Sequence, residues 1–327
     1  MSHPSLSFVI PNLNGHQFLP DCLQSLLTAT KNFPRAKYSV ILVDNGSTDN
    51  SVSIFRQFFS HYPKISTTVI QNDFNLGFAT AVNQGILAAK SDFVALVNND
   101  LSFHPDWLKI LLPLLTPDSP YSVWSGTVAD KPGRFIESQG LEFFWQGKCL
   151  NIHNGKPLSS SIVAHRSSPY SVWGANAAAT IYRRQTLLDI GLFDPHFFAY
   201  EEDVDLSFRL WRRGFQTLLV PSAITYHLGG GTSRQMSNFR QKMDFKNWHL
   251  LILKNYSLTE LIRHFPAIFI ERLRNLSGLI KSTLFPFNLR LFLRLPYDIL
   301  ALYASVIYYG TDIILQRIKH LANGYTS

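Results

Sequence analysis

Cysteine is nearly absent: Cys22 and Cys149 are the only two in 327 residues. They are too few and too far apart for a disulfide framework or a CxxC metal site, and a reducing compartment is the expected setting. Long hydrophobic runs are missing too. The charge-free core of the helix candidate Tyr297–Ile318, Ile299 to Thr311, has 13 residues, against the roughly 20 that a membrane-spanning helix needs. The amino terminus, Met1 to Asn12, holds one short apolar run, Leu6 to Ile10, with no basic region before a long hydrophobic stretch. It reads as a first strand rather than a secretory signal. There is no GxGxxG after that strand and no GxxxxGK[ST] anywhere, which excludes a dinucleotide-binding fingerprint and a P-loop. Internal repeats and low-complexity tracts are absent as well.

What remains is long enough for one large α/β domain and a smaller appendage. Thirty Lys and Arg against 22 Asp and Glu give a formal net charge of +8. That charge favours partners bearing phosphate or an anionic membrane surface, without choosing between them. Half of the excess lies beyond Asn255, where eight basic residues face four acids, Glu260, Glu271, Asp298 and Asp312.

Hydrophobic periodicity predicts strands at Ser5–Ile10, Ser39–Val43, Thr67–Ile70 and Phe93–Val97, with helices over Phe18–Thr28, Ser51–Phe59 and Ala79–Ala89. Alternation of this kind implies a mainly parallel sheet with helices on both faces. Ligands then bind at the carboxyl ends of the strands, where Asp44 and Asp100 fall. From Trp107 to Pro169 the pattern weakens into short strands and loops, a segment that could hold acceptor specificity. Order returns at Trp173–Tyr182 and in a helix over Asp203–Arg213, stopped by Gly214. A boundary is expected near Lys254–Ser257.

Several clusters could carry chemistry. Glu201, Glu202, Asp203 and Asp205 stand within five positions at a helix start. Carboxylates are favoured there by the helix dipole, but one of them could also take a proton from an attacking hydroxyl. Asn98-Asn99-Asp100 reads either as a turn or as a site where Asp100 binds Mg²⁺ or Mn²⁺. Asp44 opens Asp44-Asn45-Gly46-Ser47-Thr48-Asp49, a plain turn or a contact to a nucleobase or ribose. Gly77, Asn83 and Gly85 suit packing or a close approach of backbone to a nucleotide. His227 precedes Gly229-Gly230-Gly231-Thr232-Ser233-Arg234, a loop able to close over a diphosphate.

In order and spacing these motifs closely resemble the GT-A glycosyltransferases of family 2, and among them the rhamnosyltransferase-like branch. The residues that carry the resemblance are Val9-Ile10-Pro11-Asn12, Val43 to Asp49, Asn75-Leu76-Gly77-Phe78-Ala79 with Asn83-Gln84-Gly85, Leu96 to Asp100, Gly191 to Asp194, Tyr200 to Leu206 with Arg209, and Tyr226-His227. It covers roughly residues 5 to 235. The resemblance implies an inverting transfer of a sugar from a nucleotide-diphosphate sugar, UDP-, dTDP- or GDP-linked, to a hydroxyl of a glycan or lipid-linked acceptor in cell-surface polysaccharide synthesis. It implies Asp203 as the base with Glu202 beside it, and Asp100 and His227 as ligands of Mg²⁺ or Mn²⁺. Pro11, Asn12, Asp44, Gly77, Asn83, Asn98, Asn99, Trp173 and Gly174 would lie at the nucleotide sugar. The family's DXD-type site is reduced here to Asn98-Asn99-Asp100, with one carboxylate, so phosphate oxygens would have to complete the metal's shell.

Two other readings compete. A sugar nucleotidyltransferase would show a Gly-rich, Arg/Lys-containing signature after its first strand, where Asn12-Leu13-Asn14-Gly15-His16 stands instead. An inactive sugar-binding scaffold would have lost acids that are present here. The expected division is a catalytic domain over 1–255 and a helical segment over 256–327. In the latter, Asp298, Ser305 and Asp312 share one helical face, which suggests an amphipathic helix on a membrane, on the catalytic domain or on a second subunit. The expected location is the cytoplasm, peripheral on the inner face of the membrane, with no nucleic-acid partner and a homo-oligomer as an option.

Overall fold

The computed structural model describes residues 4–31, 37–159, 168–227, 239–284 and 289–322. The first half alternates as its periodicity predicts: β1 (Ser5–Asn12), α1 (Leu19–Thr30), β2 (Lys37–Asp44), α2 (Ser51–Ser60), β3 (Ser66–Gln71), α3 (Phe78–Ala88) and β4 (Phe93–Val97). There follow β5 (Leu101–Phe103), α4 (Trp107–Leu111), β6 (Tyr121–Asp130), β7 (Ile136–Ser138), β8 (Leu141–Phe144) and β9 (Lys148–Asn151). Next come β10 (Tyr170–Val172), β11 (Ala179–Arg183), α5 (Arg184–Ile190), α6 (Glu202–Arg212) and β12 (Gln216–His227). Three helices close the chain: α7 (Phe239–Asn255), α8 (Leu258–Leu284) and α9 (Leu289–Ala322).

The main sheet runs β10-β12-β6-β11-β4-β1-β2-β3. β1 pairs in parallel with both β2 and β4. The chain therefore leaves β1 toward one edge and comes back to its other side. That reversal opens a crevice at the carboxyl ends of β1 and β4. All five residues of β4 are buried, as a strand covered on both faces requires. One face packs Phe8, Leu42, Phe55 and Trp107 beneath α1, α2 and α4. The other packs Val9, Val82, Leu96 and Leu206 beneath α3, α5 and α6. Burying each large side chain contributes roughly 1.5–3 kcal/mol. Helix α3 can approach the sheet because of Gly85, where a Cβ would stand 2.2 Å from Val9 Cγ1.

The segment expected to weaken into short strands contains β6, a ten-residue strand paired with β11 and β12. Its Ser122, Ser125, Gly126 and Thr127 interrupt the apolar pattern although the strand is buried, and Thr127 Oγ1 is satisfied by the Pro221 carbonyl at 2.7 Å. The expected boundary falls in the short link between α7 and α8. A single core nevertheless spans it, for Tyr256, Ile268 and Ile313 pack with Val204 and Phe208 of α6.

Candidate active site

Strand ends build the site. Asn12 finishes β1 and lies in register with Asp44 at the end of β2. Its Nδ2 donates to Asp44 Oδ1 at 3.0 Å and to Ser47 Oγ at 3.1 Å, while its Oδ1 accepts from Asn99 Nδ2 at 2.7 Å. Asn45 ties the next loop down by donating to Asn75 Oδ1 at 2.9 Å and to the Gly77 carbonyl at 3.2 Å. Gly77 has φ of +88°, and a Cβ there would meet the Phe198 carbonyl at 2.7 Å. Only glycine fits that close approach.

These residues edge a cavity of about 1050 Å³, ample for a small-molecule ligand of several rings. Pro11, Asn12, Gly77, Asn98, Asn99, Asp100, Glu202, Asp203 and His227 all line it. Asp44 is buried just beneath, holding Asn12. Like Asp44, three further expected contacts stand away from the lining. Asn83 braces the backbone of Phe193 at both its N–H and its carbonyl. Trp173 stacks on Phe143 with ring centroids 4.8 Å apart. At Gly174 a Cβ would strike the Ser207 side chain at 2.5 Å, which marks a packing glycine. Residues 229–234, the loop expected to close over a diphosphate, lie outside the described residues.

On one wall, His227 Nε2 stands 3.2 Å from Asp100 Oδ1 and Nδ1 stands 2.7 Å from Glu137 Oε2. Burial pushes the imidazole pKa down, but the two carboxylates outweigh it and raise the pKa to about 9. Among the described residues no group of three His, Cys, Asp or Glu side chains forms a protein-only metal cage. The pair that does converge fits a cation that keeps open positions. Asp100 offers a hard oxygen, His227 an imidazole nitrogen, and Glu137 fixes the ring from behind. Glu137 was not foreseen from the sequence.

The acids line the same cavity. Asp203 is partly exposed, with Oδ1 accepting from the Val204 N–H at 2.8 Å and Oδ2 from the Ala177 N–H at 3.3 Å. Burial raises its pKa above the ordinary aspartate value despite these bonds. Glu202 is buried, and burial together with the adjacent Asp203 charge pushes its pKa well up. Glu201 is driven the same way by burial, Asp244 and Asp203. Asp205 serves differently. It points away into ion pairs with Arg209 at 2.8 Å and Lys254 at 2.9 Å.

The loop before the acids is bent hard. Phe198, Tyr200 and Glu201 have φ of 62°, 66° and 64°, a region that costs non-glycine residues about 1–2 kcal/mol each. Phe198 centres a tight γ-turn closed by the Ala199 N–H on the Phe197 carbonyl at 2.7 Å. Helix α7 holds this shape. Asn247 Nδ2 lies 2.9, 2.8 and 2.6 Å from the carbonyl oxygens of Phe197, Ala199 and Tyr200. Lys246 adds a bond to the His196 carbonyl at 2.8 Å. Neither α7 nor Asn247 was visible in the sequence pattern.

Known proteins resemble this chain in sequence and in fold. The model of glycosyl transferase family 2 matches residues 7–204, and that of glycosyl transferase family group 2 matches residues 137–315. An N-acetylglucosaminyl-diphospho-decaprenol L-rhamnosyltransferase of Mycobacterium tuberculosis is 28% identical over 65% of this chain and 72% of its own length. Glycosyltransferase AglE of Haloferax volcanii is 31% identical, and the match spans 41% of this chain and 40% of that protein. Among solved structures, S. aureus TarS 1-349 superposes with a TM-score of 0.58 at 17% identity, covering 93% of this chain and 80% of that one. The mannosyltransferase PcManGT of Pyrobaculum calidifontis gives a TM-score of 0.56 at 16% identity, over 98% and 87%. The strand order, the crevice at β1 and β4 and the extent of the family match lead to one assignment: the fold is GT-A, and the chain belongs to glycosyl transferase family 2.

Proposed function

We propose that this chain transfers a hexosyl or deoxyhexosyl group from a UDP-, dTDP- or GDP-linked sugar to a hydroxyl of a glycan or lipid-linked acceptor, with inversion, at the inner face of a membrane. The observation that carries the reading is the placement of Asp203. Its carboxylate is pinned by two backbone N–H groups in a cavity that Asp100 and His227 also line. Asp203 accepts the proton of the acceptor hydroxyl as that oxygen bonds to the anomeric carbon. The bond from that carbon to the diphosphate breaks in the same displacement, so no covalent glycosyl-enzyme forms. Asn12, Asn45 and Asn99 present a polar wall to the nucleotide, kept rigid by the bonds among them. Asp100 and His227 would hold Mn²⁺ or Mg²⁺, which when bound neutralises charge on the departing diphosphate. Support for a divalent ion and such donors comes from PcManGT, described with GDP-Man and Mn²⁺, and from GalNAc-T7, described with UDP, GalNAc and Mn²⁺. The mycobacterial relative supports a lipid-linked acceptor.

Asp203→Asn tests the assignment. Transfer should fall roughly 10²–10⁴-fold, the worth of a positioned base, while nucleotide-sugar-dependent thermal stabilisation persists. Full transfer activity in the variant would remove Asp203 from the role.

A further inference from the structure

Helices α8 and α9 wear their apolar side chains outward. Along α8, Leu258, Ile262, Phe265 and Phe269 recur every three or four residues, and each is more than half exposed. Along α9, Leu293, Tyr297, Leu300 and Ile307, spaced four, three and seven apart, are exposed to the same degree. A helix on a water-facing surface has the reverse polarity.

The polar stripe of α9 faces the protein instead. Asp298 Oδ2 accepts from Lys242 Nζ of α7 at 2.7 Å, and Asp312 Oδ2 stands 3.3 Å from His196 Nε2. These anchors are separated by roughly 21 Å of helix, so α9 is moored lengthwise against the catalytic domain. Leu302, Val306 and Ile313 are buried on the same inner face. The stretch Leu293–Leu315 is long and apolar enough to cross a membrane, yet crossing would break both moorings.

Charge is sorted in the same way. Beyond Asn255 every acid is engaged: Glu260 with Arg212, Glu271 with Arg274, Asp298 with Lys242 and Asp312 with His196. Arg263, Lys281 and Arg294 are exposed. An apolar face among exposed cations suits anionic lipid. A second copy of the same surface would set these cations against their own kind.

We propose that the exposed faces of α8 and α9 seat this chain on an anionic bilayer, with α9 lying along the surface instead of spanning it. The proposal deepens, and for its purpose rests on, the reading of a transferase that works at a membrane. Side chains such as Phe265 and Leu300 enter the acyl boundary while the arginines meet the headgroups. The active-site wall, one helix removed, stays in water.

The test is flotation of the purified full-length protein with phosphatidylcholine vesicles, with and without phosphatidylglycerol. The protein should float with the anionic vesicles and be released by alkaline carbonate. The variant Ile262→Gln/Phe269→Gln/Leu300→Gln/Ile307→Gln should bind roughly tenfold less or weaker still, with an unchanged unfolding temperature because all four side chains are exposed. Arg263→Glu/Arg294→Glu should lose the preference for phosphatidylglycerol. Absence of flotation overturns the proposal, as does retention through carbonate, which marks a spanning helix. A dimer in light scattering that the four-residue variant splits assigns the surface to a second copy and overturns it too. Asp203→Asn should float like the unaltered protein. Flotation without sugar transfer would therefore count against the transferase reading alone.

Discussion

His227 is held at both nitrogens, and its two partners do different work. Asp100, 3.2 Å from Nε2, shares the side from which a cation would be bound, whereas Glu137, 2.7 Å from Nδ1, only fixes the ring. Carboxylates placed behind a ligating imidazole set its tautomer and basicity. Glu137→Ala should therefore weaken Mn²⁺ binding roughly 10–100-fold, read as free Mn²⁺ by electron paramagnetic resonance in a titration. Unchanged affinity would show that His227 is no ligand. Asp100 was legible three residues past β4, and His227 as the polar end of an apolar stretch that proves to be β12. Glu137 was not, since β7 is three residues long and carries no period that could announce it.

Elements explain what single residues cannot. The alternation from β1 to β4 could be read directly because each piece keeps one period and turns on polar residues. Helix α7 escaped because it buries Lys246 and Asn247, so no apolar stripe forms. Those buried polar groups are its function in the fold: they hold the carbonyls of the bent loop ahead of Asp203. Asn247→Ala would take this donor from the carbonyls of Ala199 and Tyr200, while that of Phe197 keeps the Ala199 N–H. The expected result is a loss of about 1–3 kcal/mol in stability and a fall in kcat larger than any change in the donor's KM. The matching Asn247→Asp change, which supplies no N–H, should not rescue activity. Full kcat in Asn247→Ala would show that the loop keeps its shape unaided. Glu202 and Asp203 were legible as acids at a helix start; their backbone was not, because positive φ at Phe198, Tyr200 and Glu201 leaves no glycine behind as a sign.

Across the whole molecule two sets of buried and half-buried carboxylates pull stability in opposite directions with pH. Asp194 is half-buried, and that desolvation raises its pKa, but Lys254 and the His196 N–H win and hold it at about 2. Asp205 is lowered in the same manner, by Arg209 and Lys254 against its burial. Their stabilisation is complete above the ordinary aspartate range and is lost as pH falls through their folded values. Glu201, Glu202 and Asp203 are shifted up, chiefly by burial. Between the ordinary carboxylate range and those raised values the folded chain binds more protons than the unfolded one, so stability declines as pH rises. Urea unfolding across pH should show a maximum close to the ordinary carboxylate range, with stability falling from there toward neutrality. Glu202→Gln should flatten the decline and raise stability at neutral pH, as relief of a buried charge at a functional site does. A curve that climbs steadily through neutrality, with Glu202→Gln destabilising, would contradict this.

The distance in sequence between the bent loop and its clamp sets an order of events at birth. A ribosome delivers Tyr200 to Asp203 well before Asn247, and a loop with three left-handed residues has no reason to keep its shape alone. A nascent chain that has reached residue 204 contains the whole stretch matched by the family model. It still lacks the Asn247 amide that holds the carbonyls ahead of Asp203, so the loop takes its bent shape only when α7 has emerged and docked.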